Sequence, residues 1–209
     1  MRGIVDLVSI GCWNIHGLFV KINKLKICKL EDEEFIKKLH NLDIPCLHEI
    51  QCGQDDTQGL SVEDYNLYPF HREISKNNRH FGGSLILIKK TIKKGVKFIK
   101  DFKGDIIWLK MDKNFFGLKN NILVCFTYAP PINSPYLTDN DLDMIDIVEK
   151  DISLYKNGEN ILIAGDFNAK TKTESDWVSD QHDDHSPIND LTQYIPEIVF
   201  PGVIVTNIP

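Results

Sequence analysis

The sequence has no long apolar run, no internal repeat and no linker rich in glycine or proline. No segment approaches the ~20 apolar residues of a membrane-spanning helix. Asp6 interrupts the N-terminal apolar stretch where a signal peptide would stay unbroken. We therefore expect an intracellular protein, cytoplasmic or nuclear rather than secreted, with no membrane partner. Without linkers or repeats, 209 residues favour one domain with its own core.

Cysteine is sparse, and its spacing forms no metal-binding pattern. The five cysteines, at positions 12, 28, 46, 52 and 125, make an odd number and include no Cys-x-x-Cys pair. Those at 12, 46 and 125 lie within apolar runs, where cysteine behaves as a small hydrophobe. The pattern argues against a structural zinc site and predicts free thiols in a reducing compartment.

The net charge of -6 excludes a protein that binds polyanions over its whole surface. Charge is uneven, however, with seven lysines and one acid in residues 86–104, and fourteen acids and four lysines in residues 139–190. Such runs are usually solvated faces. The alternative is a lysine-rich rim beside an acidic, cation-binding centre. No feature indicates an obligate protein partner.

Apolar periodicity predicts a sheet-rich α/β chain. Strands are predicted over residues 4–12, 44–50, 65–70, 84–88, 96–102, 106–111, 121–128, 161–164 and 203–205, the last without a following partner. Amphipathic helices are predicted over 31–42 and 139–156. The second helix would bury Leu142, Ile145, Val148, Ile152 and Tyr155. The polar, acidic segment from about residue 171 onward is expected to pack poorly.

The most informative stretch is Ile-Leu-Ile-Ala-Gly-Asp-Phe-Asn-Ala at 161–169. A strand buried on both faces stops at Gly165, and Asp166 and Asn168 follow two positions apart. Side chains two apart in extended backbone point to the same side, so this pair should project together from the strand end. A structural Asp-Asn turn closing the strand is the alternative.

Three other apolar runs also end at a polar residue, namely Asn14, Glu49 and Tyr128. Polar groups at the rim of a packed sheet can converge on one cleft. The oxygen-bearing side chains suit Mg²⁺, with Glu49 as the main ligand and Asn14 as an outer or water-bridged one. Asp166 would orient a water for attack on phosphorus, while Asn168 and Tyr128 would steady the developing negative charge.

At these residues the chain resembles the endonuclease/exonuclease/phosphatase superfamily. The matching segments are Cys-Trp-Asn14-Ile-His-Gly-Leu, Cys-Leu-His-Glu49-Ile, Gly82-Gly83-Ser-Leu-Ile-Leu, Thr-Tyr128-Ala-Pro-Pro and Ala-Gly-Asp166-Phe-Asn168-Ala. They span about residues 8–169, and jointly they are quite specific. The last two look most like the endonuclease domains of non-LTR (LINE-type) retrotransposons.

The resemblance implies a four-layer α/β sandwich, in which two mostly antiparallel β-sheets pack face to face between helices. Residues 1–170 would form this domain, and 171–209 would be an acidic loop and a truncated remainder, leaving the sandwich incomplete at the C-terminus. It also implies phosphodiester hydrolysis dependent on Mg²⁺ or Mn²⁺, with DNA as the substrate. Glu49 would bind the metal, and Asp166 and Asn168 would serve the attacking water and the phosphate.

The chain departs from the family pattern at two places. Some nucleases of the family carry an aspartate where this chain has His16. The family's closing Asp-His motif is expected well downstream of Asp166, and Asp184-His185 resembles it only superficially because it lies so close to Asn168. The alternative for Asp184 and His185 is a polar surface loop, and the chain would then be a weak hydrolase at best.

A substrate-phosphate contact is also predicted from the loop before the fourth strand. Arg79 and His80, just before Gly82-Gly83, are the candidates for it. The alternative for this pair is a solvated, mobile loop.

Three functions remain open from the sequence. The first is a metal-dependent DNA endonuclease of a retroelement, which the two last motifs favour. The second is a phosphatase or phosphodiesterase acting on a phospholipid or inositol phosphate, since the superfamily spans these substrates. The third is an inactive truncated remnant or a binding module.

Overall fold

The computed structural model describes residues 7–75, 79–155 and 158–168, and the backbone of 198–200 and 203–207. Its strands are β1 Val8–Asn14, β2 Phe19–Ile22, β3 Leu25–Cys28, β4 Ile44–His48, β5 Tyr65–Phe70, β6 Ser84–Lys89, β7 Val96–Phe102, β8 Ile106–Met111, β9 Ile122–Tyr128, β10 Asn160–Asp166, β11 Ile198–Phe200 and β12 Val203–Asn207. Its α-helices are α1 Glu33–His40, α2 Gln54–Thr57, α3 Lys113–Phe116, α4 Pro135–Asn140 and α5 Met144–Tyr155.

Ten of these strands form two sheets, and β2 and β3 form a separate hairpin. One sheet has the order β11-β12-β1-β4-β6-β5, and the other has the order β10-β9-β8-β7. Most neighbours are antiparallel, but β1 runs parallel to β4 and to β12, and β10 runs parallel to β9. Each sheet therefore contains a parallel pair whose two carboxyl ends lie at the same edge.

The main core lies between the two sheets. Because side chains alternate along a strand, one set from each strand faces the opposite sheet. The larger sheet contributes Ile10, Ile44 and Ile86, and the smaller contributes Val124 and Phe126, all fully buried. This face-to-face packing of two sheets matches the predicted sandwich.

Helices cover the outer faces of both sheets and complete four layers. The other set of side chains on β4 and β6, including Leu47 and Leu85, packs with Leu39 of α1. On the far side, Trp108 and Leu123 pack with Met144 and Val148 of α5. All five cysteines are free and buried within these layers. Among the described residues, no helix combines the length and apolarity needed to cross a bilayer.

The helix predicted over 139–156 is confirmed over 144–155, but it does not begin at residue 139. The chain forms α4 and α5 instead, and Asp141 between them adopts a left-handed conformation with φ 51° that ends α4. Val148, Ile152 and Tyr155 pack in the core as predicted, whereas Ile145 is 47% exposed and Met144 is buried. Apolar spacing could not reveal this break, because Leu142 and Ile145 fit a continuous helix equally well.

The strand predicted over 203–205 has partners, which corrects the expectation that it lacks them. β12 pairs with β1 in parallel register, with Val8 opposite Val203, and with β11 on its other edge. The packing prediction for the rest of residues 171–209 lies outside the described residues.

The lysine-rich segment covers the end of β6 in the larger sheet, the turn after it, and β7 at the edge of the smaller sheet. Lys97 is exposed there, while Lys89 pairs with Asp43 at 2.9 Å and Lys100 pairs with Asp151 at 2.6 Å. Exposed charge on an edge strand discourages pairing with another chain. This placement agrees with the solvated-face interpretation for part of the run.

Candidate active site

The predicted strand-end residues meet where the two sheets close at one end of the sandwich. Asn14 ends β1 and Glu49 directly follows β4, its parallel neighbour. Tyr128 ends β9 and Asp166 ends β10, and these two residues are paired in register. Parallel neighbours place their carboxyl ends together, so each sheet presents two polar residues at this end.

Two side-chain hydrogen bonds connect the sheets at this point. Asn14 Nδ2 donates to Asp166 Oδ2 at 2.8 Å, although the residues are 152 positions apart. The Tyr128 hydroxyl donates to Glu49 Oε1. The structure therefore brings Asn14, Glu49, Tyr128 and Asp166 into one cluster, and Asn168 joins it through Asp166.

Gly165 allows β10 to pack closely against β9 and so to place Asp166 in the cluster. It lies opposite Thr127 of β9, and a Cβ at this position would be 1.8 Å from the Thr127 carbonyl oxygen. No side chain can be accommodated at that distance. Glycine thus permits the close approach of the two strands just before the carboxylate.

Asn168 reaches the cluster by a turn rather than by strand alternation. β10 ends at Asp166, and Asn168 has a left-handed φ of 46°. Its backbone N–H donates to Asp166 Oδ1 at 3.0 Å, and its Nδ2 donates to the Ala129 carbonyl at 3.0 Å. The Asp-Asn turn and the polar cluster are therefore the same feature, so the two interpretations of this stretch are not exclusive.

Glu49 is the most heavily hydrogen-bonded carboxylate of the cluster. Its backbone is left-handed, with φ 56°, and its side chain is only 13% exposed. Besides Tyr128, His16 Nδ1 lies 3.1 Å and Gln51 Nε2 lies 2.9 Å from Oε2. Burial opposes ionisation of Glu49, but hydrogen bonds, chiefly from Tyr128 and His16, outweigh it and lower its pKa.

Tyr128 remains a hydrogen-bond donor at neutral pH. Burial raises the pKa of its phenol, and the hydrogen bond to the Glu49 carboxylate raises it further. The neutral hydroxyl and the ionised carboxylate therefore form a charge-assisted pair. This bond holds one oxygen of Glu49 in place.

The donor set at this end fits a divalent cation with oxygen ligands. Glu49 and Asp166 supply carboxylates and Asn14 supplies an amide oxygen. In the part of the chain that the structure describes, His16 is the only ion-pair partner of Glu49, and Asp166 has none. That same part contains no group of three or more histidine, cysteine, aspartate or glutamate side chains that could hold a metal ion, so side-chain carboxylates would supply only part of the coordination. An open set of this kind suits Mg²⁺, which usually keeps several waters.

Three residues behind the cluster were not found by sequence reasoning. Arg72 Nε donates to Asp105 Oδ2 at 2.8 Å, and both side chains are buried. The Arg72 guanidinium carbon lies 3.7 Å from the Tyr136 ring centroid and 5.9 Å from that of Tyr128. Arg72 and Asp105 lie in loops after β5 and before β8, where no apolar pattern marks a buried ion pair.

His48 precedes Glu49 in the chain, and it is a structural residue. It is fully buried, and its Nδ1 lies 3.0 Å from Ser84 Oγ, which donates to the Gly104 carbonyl at 2.8 Å. The imidazole also lies beside the Tyr128 ring, with centroids 6.3 Å apart. The buried His48 ring therefore helps to hold the Tyr128 ring in place.

The remaining site candidates lie apart from the cluster or outside the description. His80 packs over Gly53, and Arg79 is exposed with its carbonyl accepting from Ser75 N at 3.0 Å. Among the described residues, no hydrogen bond joins either of them to the five cluster residues. Their role as phosphate contacts stays a prediction. Asp184 and His185 lie outside the described residues.

Comparison with known proteins identifies the family. The model of the Endonuclease/Exonuclease/phosphatase family matches residues 11–188, so the chain belongs to this family of hydrolytic nucleases and phosphatases. No curated protein matched in the corresponding search.

Solved structures agree at the level of the fold. The Xenopus laevis APE2 catalytic domain is 17% identical, with a TM-score of 0.54 over 77% of this chain and 58% of that one. The AP endonuclease LMAP from Leishmania major is 15% identical, with a TM-score of 0.52 over 75% of this chain and 54% of that one. The chain thus spans somewhat more than half the length of these structures.

Proposed function

We propose that the chain is a divalent-metal-dependent phosphodiesterase, most specifically a DNA endonuclease of a LINE-type retroelement. The observation that carries this proposal is the cluster of Asn14, Glu49, Tyr128 and Asp166 at the junction of the two sheets. It gathers two carboxylates and two neutral hydrogen-bond donors around one edge. Glu49 and Asn14 would hold Mg²⁺ or Mn²⁺, which when bound would neutralise charge on a substrate phosphate.

The side chains of the cluster would orient the attacking water and stabilise charge on the phosphate. Asp166 is held from two sides, because Oδ1 accepts from Asn168 N and Oδ2 accepts from Asn14 Nδ2. A carboxylate fixed in this way has lone pairs left to accept a proton from a water and orient it toward phosphorus. Asn168 Nδ2 keeps a second N–H beyond its bond to the Ala129 carbonyl and would stabilise negative charge on the phosphate oxygens, whereas the single proton of the Tyr128 hydroxyl is donated to Glu49 and would position that carboxylate.

DNA is proposed as the substrate on two grounds. The Tyr-Ala-Pro-Pro and Gly-Asp-Phe-Asn-Ala segments resemble retroelement endonucleases, and they carry Tyr128, Asp166 and Asn168. Two of the solved structures with a similar fold are named as an AP endonuclease and as an APE2 catalytic domain. Among the described residues, no observation favours an inositol phosphate or a phospholipid.

Nicking of supercoiled plasmid DNA with and without Mg²⁺ tests the proposal. The unmodified chain should nick in Mg²⁺ and stop in excess chelator. Asp166→Asn should lower the rate by about 10²–10⁴-fold, because it removes the base that orients water. The control Asp146→Asn, on the exposed surface of α5, should nick like the unmodified chain.

Three results would contradict the proposal in different ways. Release of phosphate from inositol phosphates without plasmid nicking would favour the phosphatase alternative. Plasmid binding without cleavage would favour a binding module. Nicking that Asp166→Asn leaves unchanged would show that the strand-end cluster is not the active site.

A further inference from the structure

His16 lies on the solvent side of Glu49, at a position that the proposed function does not use. Its Nδ1 is 3.1 Å from Glu49 Oε2, and its backbone N–H donates to Asn14 Oδ1 at 3.0 Å. The His16 side chain is 87% exposed, whereas that of Glu49 is 13% exposed. A cation that reaches Glu49 from solvent would therefore lie next to the His16 imidazole.

The backbone holds His16 in this place. His16 has a left-handed φ of 48°, as does Glu49 at 56°, and such conformations are unfavourable for residues other than glycine. Backbone bonds from Ile15 N to His48 O at 3.0 Å, and from Leu18 N to Ile50 O at 2.8 Å, align the two segments on either side. Both side chains are consequently turned toward one edge.

We propose that His16 is a nitrogen ligand of the cation that Glu49 binds, so that the metal centre of this chain has mixed nitrogen and oxygen donors. The inference deepens the proposed function and rests on it. Two cis ligands of an octahedral ion at ~2.1 Å lie about 3.0 Å apart. The 3.1 Å between Nδ1 and Oε2 is close to that separation, so both atoms could bind one cation once the imidazole turns its Nδ1 lone pair from Glu49 toward the ion.

The consequence is a change in metal preference. Mg²⁺ favours oxygen ligands, whereas imidazole suits transition metals and raises affinity along the series from Mn²⁺ to Co²⁺ and beyond. A site that includes His16 should therefore discriminate in favour of Mn²⁺ and Co²⁺ over Mg²⁺. A purely oxygen-lined site would show less discrimination.

The test is electron spin-echo spectroscopy of the Mn²⁺-loaded chain, with calorimetric titration of Mn²⁺ and Mg²⁺. The variant His16→Asn keeps a hydrogen-bond donor near Glu49 but removes the imidazole. The control His40→Asn removes an exposed histidine of α1 that lies away from the cluster. We expect a nitrogen-14 modulation in the unmodified chain and in His40→Asn. It should vanish in His16→Asn, and the Mn²⁺ affinity should fall about tenfold while the Mg²⁺ affinity changes less.

The contrary results separate this inference from the proposed function. Metal binding that depends on Glu49 but shows no nitrogen-14 modulation would overturn the role of His16 and leave the proposed function standing. Modulation that persists in His16→Asn would also overturn it. Failure of the unmodified chain to bind any of these cations would overturn both proposals.

Discussion

Glu49 and Tyr128 act as one unit at the residue scale. The phenol donates to the carboxylate across the gap between the sheets, and burial together with that bond keeps the phenol protonated. Glu49 in turn stays ionised because its hydrogen bonds outweigh its burial. The position and the charge of the proposed metal ligand therefore both depend on a hydroxyl that need not touch the metal.

Tyr128→Phe should weaken Mg²⁺ binding by about 10–100-fold, as expected when a partner that orients a metal ligand is removed. The ring and its packing against His48 are retained, so stability should change little. Calorimetric titration measures the affinity, and urea denaturation measures the stability. An unchanged Mg²⁺ affinity would show that the hydroxyl does not orient Glu49.

Arg72 and Asp105 form a buried ion pair one layer behind these residues. Arg72→Met should destabilise the fold by about 3–5 kcal/mol, because it leaves the Asp105 carboxylate buried without its partner. The double variant Arg72→Met with Asp105→Asn should recover most of that loss, since no unpaired charge remains. Urea denaturation of both variants measures the two effects.

The same pair predicts a pH dependence. Burial already raises the pKa of Asp105, and Arg72 partly opposes that rise. Without Arg72, the pKa of Asp105 in the folded chain should rise further above its pKa in the unfolded chain. The stability of Arg72→Met should therefore increase as pH falls, relative to the double variant. Parallel stability curves for the two variants would contradict this.

At the scale of strands and helices, Gly165 couples the packing of β10 to the position of Asp166. Gly165→Ala should destabilise the fold by about 2–3 kcal/mol, because the methyl group would strike the Thr127 carbonyl. It should also lower Mg²⁺ affinity, because displacing Asp166 removes the hydrogen-bond partner that holds the proposed ligand Asn14. Denaturation and calorimetry on one preparation measure both effects.

Gly59→Ala is the matched control for Gly165. Gly59 has a φ of 77°, but a Cβ there would meet nothing within 4 Å. This variant should lose only about 1 kcal/mol from backbone strain and keep its Mg²⁺ affinity. Equal effects of the two variants would mean that the close approach of β9 and β10 does not position Asp166.

Nine of the described strands could be predicted because apolar runs mark them directly, whereas the β2–β3 hairpin and β11 were not predicted. The predicted bounds of β5, β7 and β8 agree with the structure. The polar residues that end β1, β9 and β10 were visible for the same reason. The break between α4 and α5 was not, because it depends on one left-handed residue, Asp141, within a continuing apolar pattern. The pairing of β12 was equally hidden, since its parallel partner β1 lies at the other end of the chain.

On the scale of the whole molecule, the sandwich brings together residues that are far apart in sequence. Asn14 and Glu49 come from one sheet, Tyr128 and Asp166 come from the other, and the packed core between the sheets fixes their separation. The sequence showed which residues end strands, and the family resemblance indicated that they meet. The sequence could not show that Arg72 and Asp105 form a buried ion pair behind the cluster, because charged residues in loops are usually solvated.

The central claim is that this junction of the two sheets binds a divalent cation through Glu49, and calorimetric titration with Mg²⁺ tests it most directly. Glu49→Gln keeps the shape of the side chain and removes its charge, and Glu159→Gln does the same at a carboxylate paired with Lys110 away from the junction. The account predicts that Glu49→Gln weakens Mg²⁺ binding by at least about tenfold and that Glu159→Gln leaves it unchanged. Equal Mg²⁺ affinity in the unmodified chain and in Glu49→Gln would contradict it.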